Sequence, residues 1–153
     1  MKTVDDTNAT YTILIFPLGK SWGAVLSELI DDIVSLTAFG DAEALMAGRQ
    51  NSFFYENRTL FITPLWQALH DERPPHIKRP KVIIPKLYPE GSSYAPRRGY
   101  IVEDPEVITD VSLTQIHPLP ELMQTALRVP WLWGVVTLEN QLILLMDLPP
   151  QEV

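Results

Sequence analysis

The stretch LWGVVTLENQLILLMDL, residues 132–148, is aliphatic almost throughout but is broken in the middle by Glu139-Asn140. On either side lie runs of strand length, Val135-Val136-Thr137-Leu138 and Leu142-Ile143-Leu144-Leu145-Met146, rich in β-branched and aliphatic residues. Asparagine tolerates positive φ better than most residues, and tight hairpin turns demand it. The polar pair therefore marks a turn, with Gln141 opening the return strand. Because both runs are apolar on successive residues, neither strand has a fully wet face. Such strands are buried on both sides, or on one side in the monomer and on the other against a partner.

The same device stands earlier in the chain. Phe53-Phe54-Tyr55 precede Glu56-Asn57, and Arg58-Thr59-Leu60-Phe61-Ile62-Thr63-Pro64-Leu65 follow. A second pair supports the repeat: GAVLSELIDDIVSL from Gly23 to Leu36, and GYIVEDPEVITDVSL from Gly99 to Leu113. Each opens with Gly and a strand, passes through acidic residues, and closes on Asp and a short apolar-Ser-Leu ending. A third, looser pair is Ile13-Leu14-Ile15-Phe16-Pro17 and Val82-Ile83-Ile84-Pro85. The order of these segments is the same in both halves.

Two repeats of roughly 70 residues, each made of short strands, point to two small β-barrels. Units of that size bury too little surface alone, so they should share a core. The expected organisation is one all-β domain over 11–148, with subdomain one at about 11–70 and subdomain two at about 81–148. The linker, about 71–80, is rich in charge and proline, and residues 1–10 and 149–153 read as flexible ends. Short helices are expected at Asp41–Ala47, stopped by Gly48, at Leu65–His70, and at Pro118–Leu127. Pro89–Arg98 reads as a long turn of the second unit. Fourteen prolines in 153 residues leave little room for long helices.

Twelve Lys and Arg stand against nineteen Asp and Glu, a formal net charge of −7. That balance counts against nucleic-acid binding, which works by neutralising phosphates. The short basic run Lys78-Arg79-Pro80-Lys81 reads as a solvated loop. There is no cysteine, which excludes disulfides, thiolate nucleophiles and Cys-based zinc sites. No apolar run reaches membrane-spanning length, and no signal peptide is apparent, so a cytoplasmic protein is expected.

Catalytic chemistry finds no constellation to use. His70 and His76 flank Asp71-Glu72, but spacing across two prolines fixes no ligand geometry, and His117 reads as structural. There is no phosphate-cradling glycine loop, no Gly-x-Ser-x-Gly and no HExxH. Asp31-Asp32 lacks the spacing of a calcium loop. Glu103-Asp104 and Glu106 sit at a proline corner and read as a surface turn. No enzyme activity, metal or cofactor is expected. The distinctive residues are aromatic and close to turns: Trp131 and Trp133 before the last hairpin, and Phe53-Phe54-Tyr55 before the first. Large aromatics anchor interfaces and also fill small cores. Trp131 and Trp133 fit either role; Trp22 and Trp66 fit the core better.

The run Gly134–Leu148 resembles the closing signature of CheW-like domains: Gly-Val-x-x-Leu, an acidic-small turn, aliphatics, then Asp-Leu. Gly99-Tyr100-Ile101-Val102-Glu103 and the exit Ile116-His117-Pro118-Leu119-Pro120 are similar to the family's Gly-Leu-x-Val-Asp strand and its Leu-Pro-rich exit. The resemblance spans about Tyr11 to Leu148, more clearly in the second half. It implies two five-stranded SH3-like barrels sharing a hydrophobic core. It also implies a non-enzymatic adaptor that couples the coiled coil of a methyl-accepting receptor to the regulatory domain of a CheA-type histidine kinase. The output would be chemotaxis, phototaxis or pilus-based motility, and self-association through the same strands is left open.

The first half departs from the pattern. Where the family has Asn-Leu-Arg-Gly, this chain has Phe54, Tyr55, Glu56 and Asn57, so a partner-contacting Arg becomes Glu56. Leu29 and Asp31, in the segment ending at Ile33, match the family's receptor-groove positions. Partner contacts are therefore expected at Leu29, Asp31, Ile33, Phe54, Glu56 and Arg58, and at Trp131, Trp133 and Val135 in the second half. Two rival readings remain: a degenerate CheW-like domain that competes with a true adaptor, and a small-ligand-binding β-barrel.

Overall fold

Glu139 and Asn140 both take positive φ, +50° and +65°, and Glu56 and Asn57 do the same at +48° and +63°. Two successive residues in this region make the tight turn that matches strand twist in a hairpin. A computed structural model describes residues 9–18, 21–47, 52–68, 77–86, 97–105, 107–121 and 132–148. In it the last turn joins β10 (Leu132–Leu138) to β11 (Gln141–Met146), and the first joins β4 (Ser52–Tyr55) to β5 (Arg58–Pro64). Register is set by the turns: Leu138 faces Gln141, and Tyr55 faces Arg58.

The remaining strands follow the repeat. β1 (Thr10–Leu18) corresponds to β6 (Pro80–Pro85), and β2 (Ser21–Leu26) to β7 (Arg97–Glu103). β3 (Ile30–Ser35) corresponds to β8 (Val107–Ser112). After β3 and β8 the Ser-Leu-Thr triplets form matching turns, with Ser35 Oγ 3.0 Å from Thr37 Oγ1 and Ser112 Oγ 2.8 Å from Thr114 Oγ1. Two short helices are α1 (Ala42–Met46) and α2 (Leu65–Ala68).

Neither sheet is built from one repeat. The six-stranded sheet runs β8-β1-β2-β11-β10-β9, where β9 is Ile116–Pro118, and the five-stranded sheet runs β3-β6-β7-β5-β4. The two sheets do not correspond one to one with the expected units at about 11–70 and 81–148. β2 leaves the first sheet through the 3₁₀ turn Ser27–Leu29 and continues as β3 in the second. β7 makes the reverse crossing to β8. Each hairpin then joins the other half through a parallel pair, β2 with β11 and β5 with β7.

Alternation explains why the central strands are apolar on successive residues. Along β1, Ile13 and Ile15 face the core of the six-stranded sheet, while Leu14, Phe16 and Leu18 face a layer between the sheets. Along β6, Val82 and Ile84 face the core of the five-stranded sheet, and Ile83 faces the shared layer. In β11, Ile143 and Leu145 enter their own core, Met146 enters the shared layer, and Leu144 meets Val135 and Leu119. Each such aliphatic side chain contributes roughly 1.5–3 kcal/mol relative to exposure.

Three further expectations change. Pro118 ends β9, which pairs with β10, and does not start a helix; of the expected helix residues 118–121 are described, and among them Glu121 alone is helical. Arg97 and Arg98 belong to β7, not to a turn, and Thr10 belongs to β1 rather than to a flexible end. Residues 1–8 and 149–153, Gly48, the linker at 71–76 with His76, His70, the turn at 89–96, Glu106 and Trp131 lie outside the described residues.

Gly23 and Gly99 occupy matching places in β2 and β7. A Cβ on Gly99 would lie 2.5 Å from Cγ1 of the fully buried Val82. Gly99→Ala should therefore lower stability by about 1–3 kcal/mol through overpacking. Urea unfolding of the variant beside Gly40→Ala, at a site with nothing within 4 Å but with φ +146°, separates this crowding from backbone strain. Pairing Gly99→Ala with Val82→Ala should recover part of its loss.

Candidate interaction surface

The five-stranded sheet has β3 and β4 as its two outer strands. The hydroxyl of Tyr55 on β4 donates to the carboxylate of Asp32 on β3, joining them across the sheet's curl. Tyr55 is also held by its ring, which stacks at a tilt on Phe39, 6.2 Å between centroids, while Phe53 packs 5.5 Å from the same ring. Val34, Phe53 and Tyr55 turn towards the core, so the intervening Ile33 and Phe54 turn outward. They are 37% and 76% exposed.

Beside this seam lies Arg97, the first residue of β7, whose side chain is only 5% exposed. Its Nη1 is 2.8 Å from Asp31 Oδ2 and 3.8 Å from Glu56 Oε2, and its Nη2 donates to the carbonyl of Pro85 at 2.7 Å. Asp31 comes from β3, Pro85 from β6 and Glu56 from the β4–β5 turn. One guanidinium therefore ties three elements to β7. A buried guanidinium left unpaired would carry a large desolvation cost, and the carboxylate and carbonyl offset it. Its Nε is buried with no partner among the described residues.

Six of the nine residues expected to contact partners lie in this part of the fold. Asp31 and Glu56 meet at Arg97, Ile33 and Phe54 are the outward apolar pair, and Arg58 opens β5. Arg58 is half-buried, with Nη1 buried and unpartnered among the described residues. Leu29, also half-buried, ends the crossing turn, where its carbonyl accepts the N–H of Lys86 at 2.9 Å. The structure does not bring the second-half residues to this seam. Val135 is 6% exposed and packs on Leu119 and Leu144, so it belongs to the core rather than to an accessible docking site. Trp133 is half-buried against the core of the six-stranded sheet, its Nε1 buried and unpartnered among the described residues. Trp131 lies outside the described residues.

Sequence reasoning missed Arg97. An arginine between a proline and a Gly-led strand carries no mark of burial, and its partners are distant in the chain. Glu103, read as part of a surface turn, accepts the backbone N–H groups of Lys78 and Arg79 at 2.7 and 3.0 Å, and so fixes the approach to β6. His117 is exposed on β9. Among the described residues, no helix is long and apolar enough to cross a membrane.

The chain is similar in structure to a solved scaffolding protein, TtCheW from Thermoanaerobacter tengcongensis. The match has a TM-score of 0.69 at 13% identity and covers 97% of this chain and 91% of that one. The fold is CheW-like. It is all-β, with two SH3-like barrel units and a few short helices, as the resemblance in the last hairpin implied. No protein-family profile matches the chain. No curated protein matches it either. The CheW-like likeness is one of fold.

Two tyrosines titrate late in this arrangement. Burial raises the Tyr55 hydroxyl well above its ordinary value of 10, and the hydrogen bond to Asp32 and the charges of Asp32 and Glu56 add to it, against Arg97. Burial pushes Tyr100 up to about 12, with Arg98 opposing. A raised acid pKa means that the folded state holds its proton longer, so this stability is complete below pH 10 and is lost as pH rises beyond it. Absorbance at the tyrosinate band should show late-ionising amplitude that shrinks in Tyr55→Phe and in Tyr100→Phe. Arg97→Met should cost roughly 1–3 kcal/mol in urea, since it removes the charged donor from the part-buried Pro85 carbonyl and from Asp31. Glu56→Gln should change stability by less than about 0.5 kcal/mol, because that pair is long and solvated.

Proposed function

We propose that the chain is a non-enzymatic CheW-like adaptor that couples a receptor coiled coil to a CheA-type histidine kinase in the cytoplasm. The observation that carries the reading is the match to a scaffolding protein over nearly the full length of both chains. The exposed pair Phe54 and Ile33 supports it, because a large aromatic exposed to this degree at a sheet margin is characteristic of interfaces. The mechanism is binding: the margin of the five-stranded unit docks the partner, and no bond is made or broken. The output would be chemotaxis, phototaxis or pilus-based motility.

A second reading, a degenerate domain that competes with a true adaptor, is favoured by Glu56, where the family pattern has Arg. The small-ligand reading has less support. The cavity lined by Thr10, Tyr11, Thr12, Leu26, Ser27 and Glu28 has a volume of about 180 Å³. Its lining is mostly polar, whereas ligand pockets are mainly apolar and roughly 300–1,000 Å³.

Reconstitution with a CheA-type kinase and its receptor tests the adaptor. The chain should raise receptor-dependent autophosphorylation, and Phe54→Asp should weaken kinase or receptor binding by about 2 kcal/mol or more while circular dichroism stays unchanged. Unchanged binding by that variant removes the β3–β4 margin from the mechanism. Val135→Asp should unfold the protein instead, as befits a core position. Inhibition of a true adaptor by the wild-type chain, relieved by Glu56→Arg, selects the competitor.

A further inference from the structure

The sign of charge around the exposed apolar pair has a geometric origin. Three carboxylates and two guanidiniums converge on the β3–β4 seam: Asp31, Asp32 and Glu56 against Arg58 and Arg97. The guanidiniums are drawn inward, Arg97 almost completely and Arg58 with a buried Nη1. The carboxylates stay outside, with the Asp31 and Glu56 side chains 46% and 64% exposed. Asp32 spends its oxygens on two neutral donors, the Tyr55 hydroxyl and the Ile33 N–H. Asp31 is fixed by Arg97, whereas Glu56 lies at the limit of the pair, where a competing cation can take it. Two solvent-facing apolar side chains thus lie close in sequence to exposed carboxylates, while Arg97 and Arg58 are drawn inward and Lys86, beyond Pro85, is the exposed cation at the end of β6.

We infer that this face docks a partner-protein segment in which apolar side chains are flanked by lysine or arginine, with Glu56 selecting the basic flank. The inference rests on the adaptor reading for the identity of the partner, but its chemistry rests on the face alone. Apolar contact with Phe54 and Ile33 supplies affinity, and the exposed carboxylates supply selectivity by repelling acidic flanks. Arg97 acts as a positioning residue, holding Asp31 and the Glu56 turn on the same side.

The test uses the full chain, isotope-labelled, and two short synthetic peptides. Both carry a Phe-Leu pair, one flanked by lysines and its twin by glutamates. Amide shifts on titration should map the lysine peptide to Ile33, Phe54 and Glu56, with an affinity at least about tenfold above its twin. The preference should collapse near 1 M NaCl, where screening acts over about 3 Å. Phe54→Ser should weaken the lysine peptide about tenfold, and Glu56→Lys should remove or invert the preference. Both side chains are exposed, so folding should survive and can be checked in the same spectra. Equal binding of the two peptides, shifts elsewhere on the protein, or indifference to Phe54→Ser would overturn the inference. So would salt-sensitive self-association that places the chain's own Lys78–Lys81 run on this face. Peptide preference without kinase stimulation sinks the adaptor and leaves the docking chemistry standing. Kinase stimulation without peptide preference does the reverse.

Discussion

Everything in this fold depends on two parallel strand pairs, β2 with β11 and β5 with β7. Each joins a strand of one repeat to a hairpin of the other, and each lies in the middle of its sheet rather than at an edge. Buried parallel pairing demands apolar side chains on both faces, which is why the aliphatic runs are unbroken. The glycines at the matching places of β2 and β7 follow from the same constraint, since the space beside them is filled by Met146, Phe16 and Leu18 in one case and by Val82 in the other. The shared layer, with Leu14, Phe16, Ile83, Tyr100 and Met146, exists because the exchange sets the two sheets against each other.

The two units have diverged in what they expose. In the first repeat the Ser-Leu-Thr leucine, Leu36, is fully buried; in the second, Leu113 is partly exposed. The outer strand β3 carries the charged pair Asp31-Asp32, whereas β8 has Ile108 and Thr109 at the corresponding place, with Ile108 exposed. Asp31 has been recruited by a buried arginine from the opposite repeat, so the polar seam of the five-stranded unit is itself a product of the exchange. Tyr55 and Asp32 draw its outer strands together where the six-stranded unit adds β9 instead.

How much of this could be read from the chain follows from the range of each signal. Both Glu-Asn turns were legible because positive φ is a local demand with a local answer, and the alternating strands beside them followed. The repeat was legible because its segments come in the same order twice. The exchange was not: a repeat says which strands are alike, not which of them pair. β9 was hidden because Pro118 and Pro120 imitate the start of a helix. At the candidate interaction surface, Asp31, Ile33, Phe54 and Glu56 came from likeness to a family pattern, and they lie on or beside the outer strands of one sheet. Val135 came from the same likeness but sits in the core, since a family signature marks folding and binding residues alike. Arg97 had no signal, because burial of an arginine is decided by a carboxylate and a carbonyl that approach it only in three dimensions.

The exchange also governs how the molecule can be made. β2 ends at Leu26, but its parallel neighbour β11 begins only at Gln141. During synthesis, β1 and β2 emerge as a hairpin with one flank open until almost the whole described chain has left the ribosome. Contacts so distant in sequence slow the search for the native state. An exposed apolar strand edge in the meantime is a template for the wrong partner. The inner edge of β2 therefore receives its native neighbour only when the last hairpin of the chain is made.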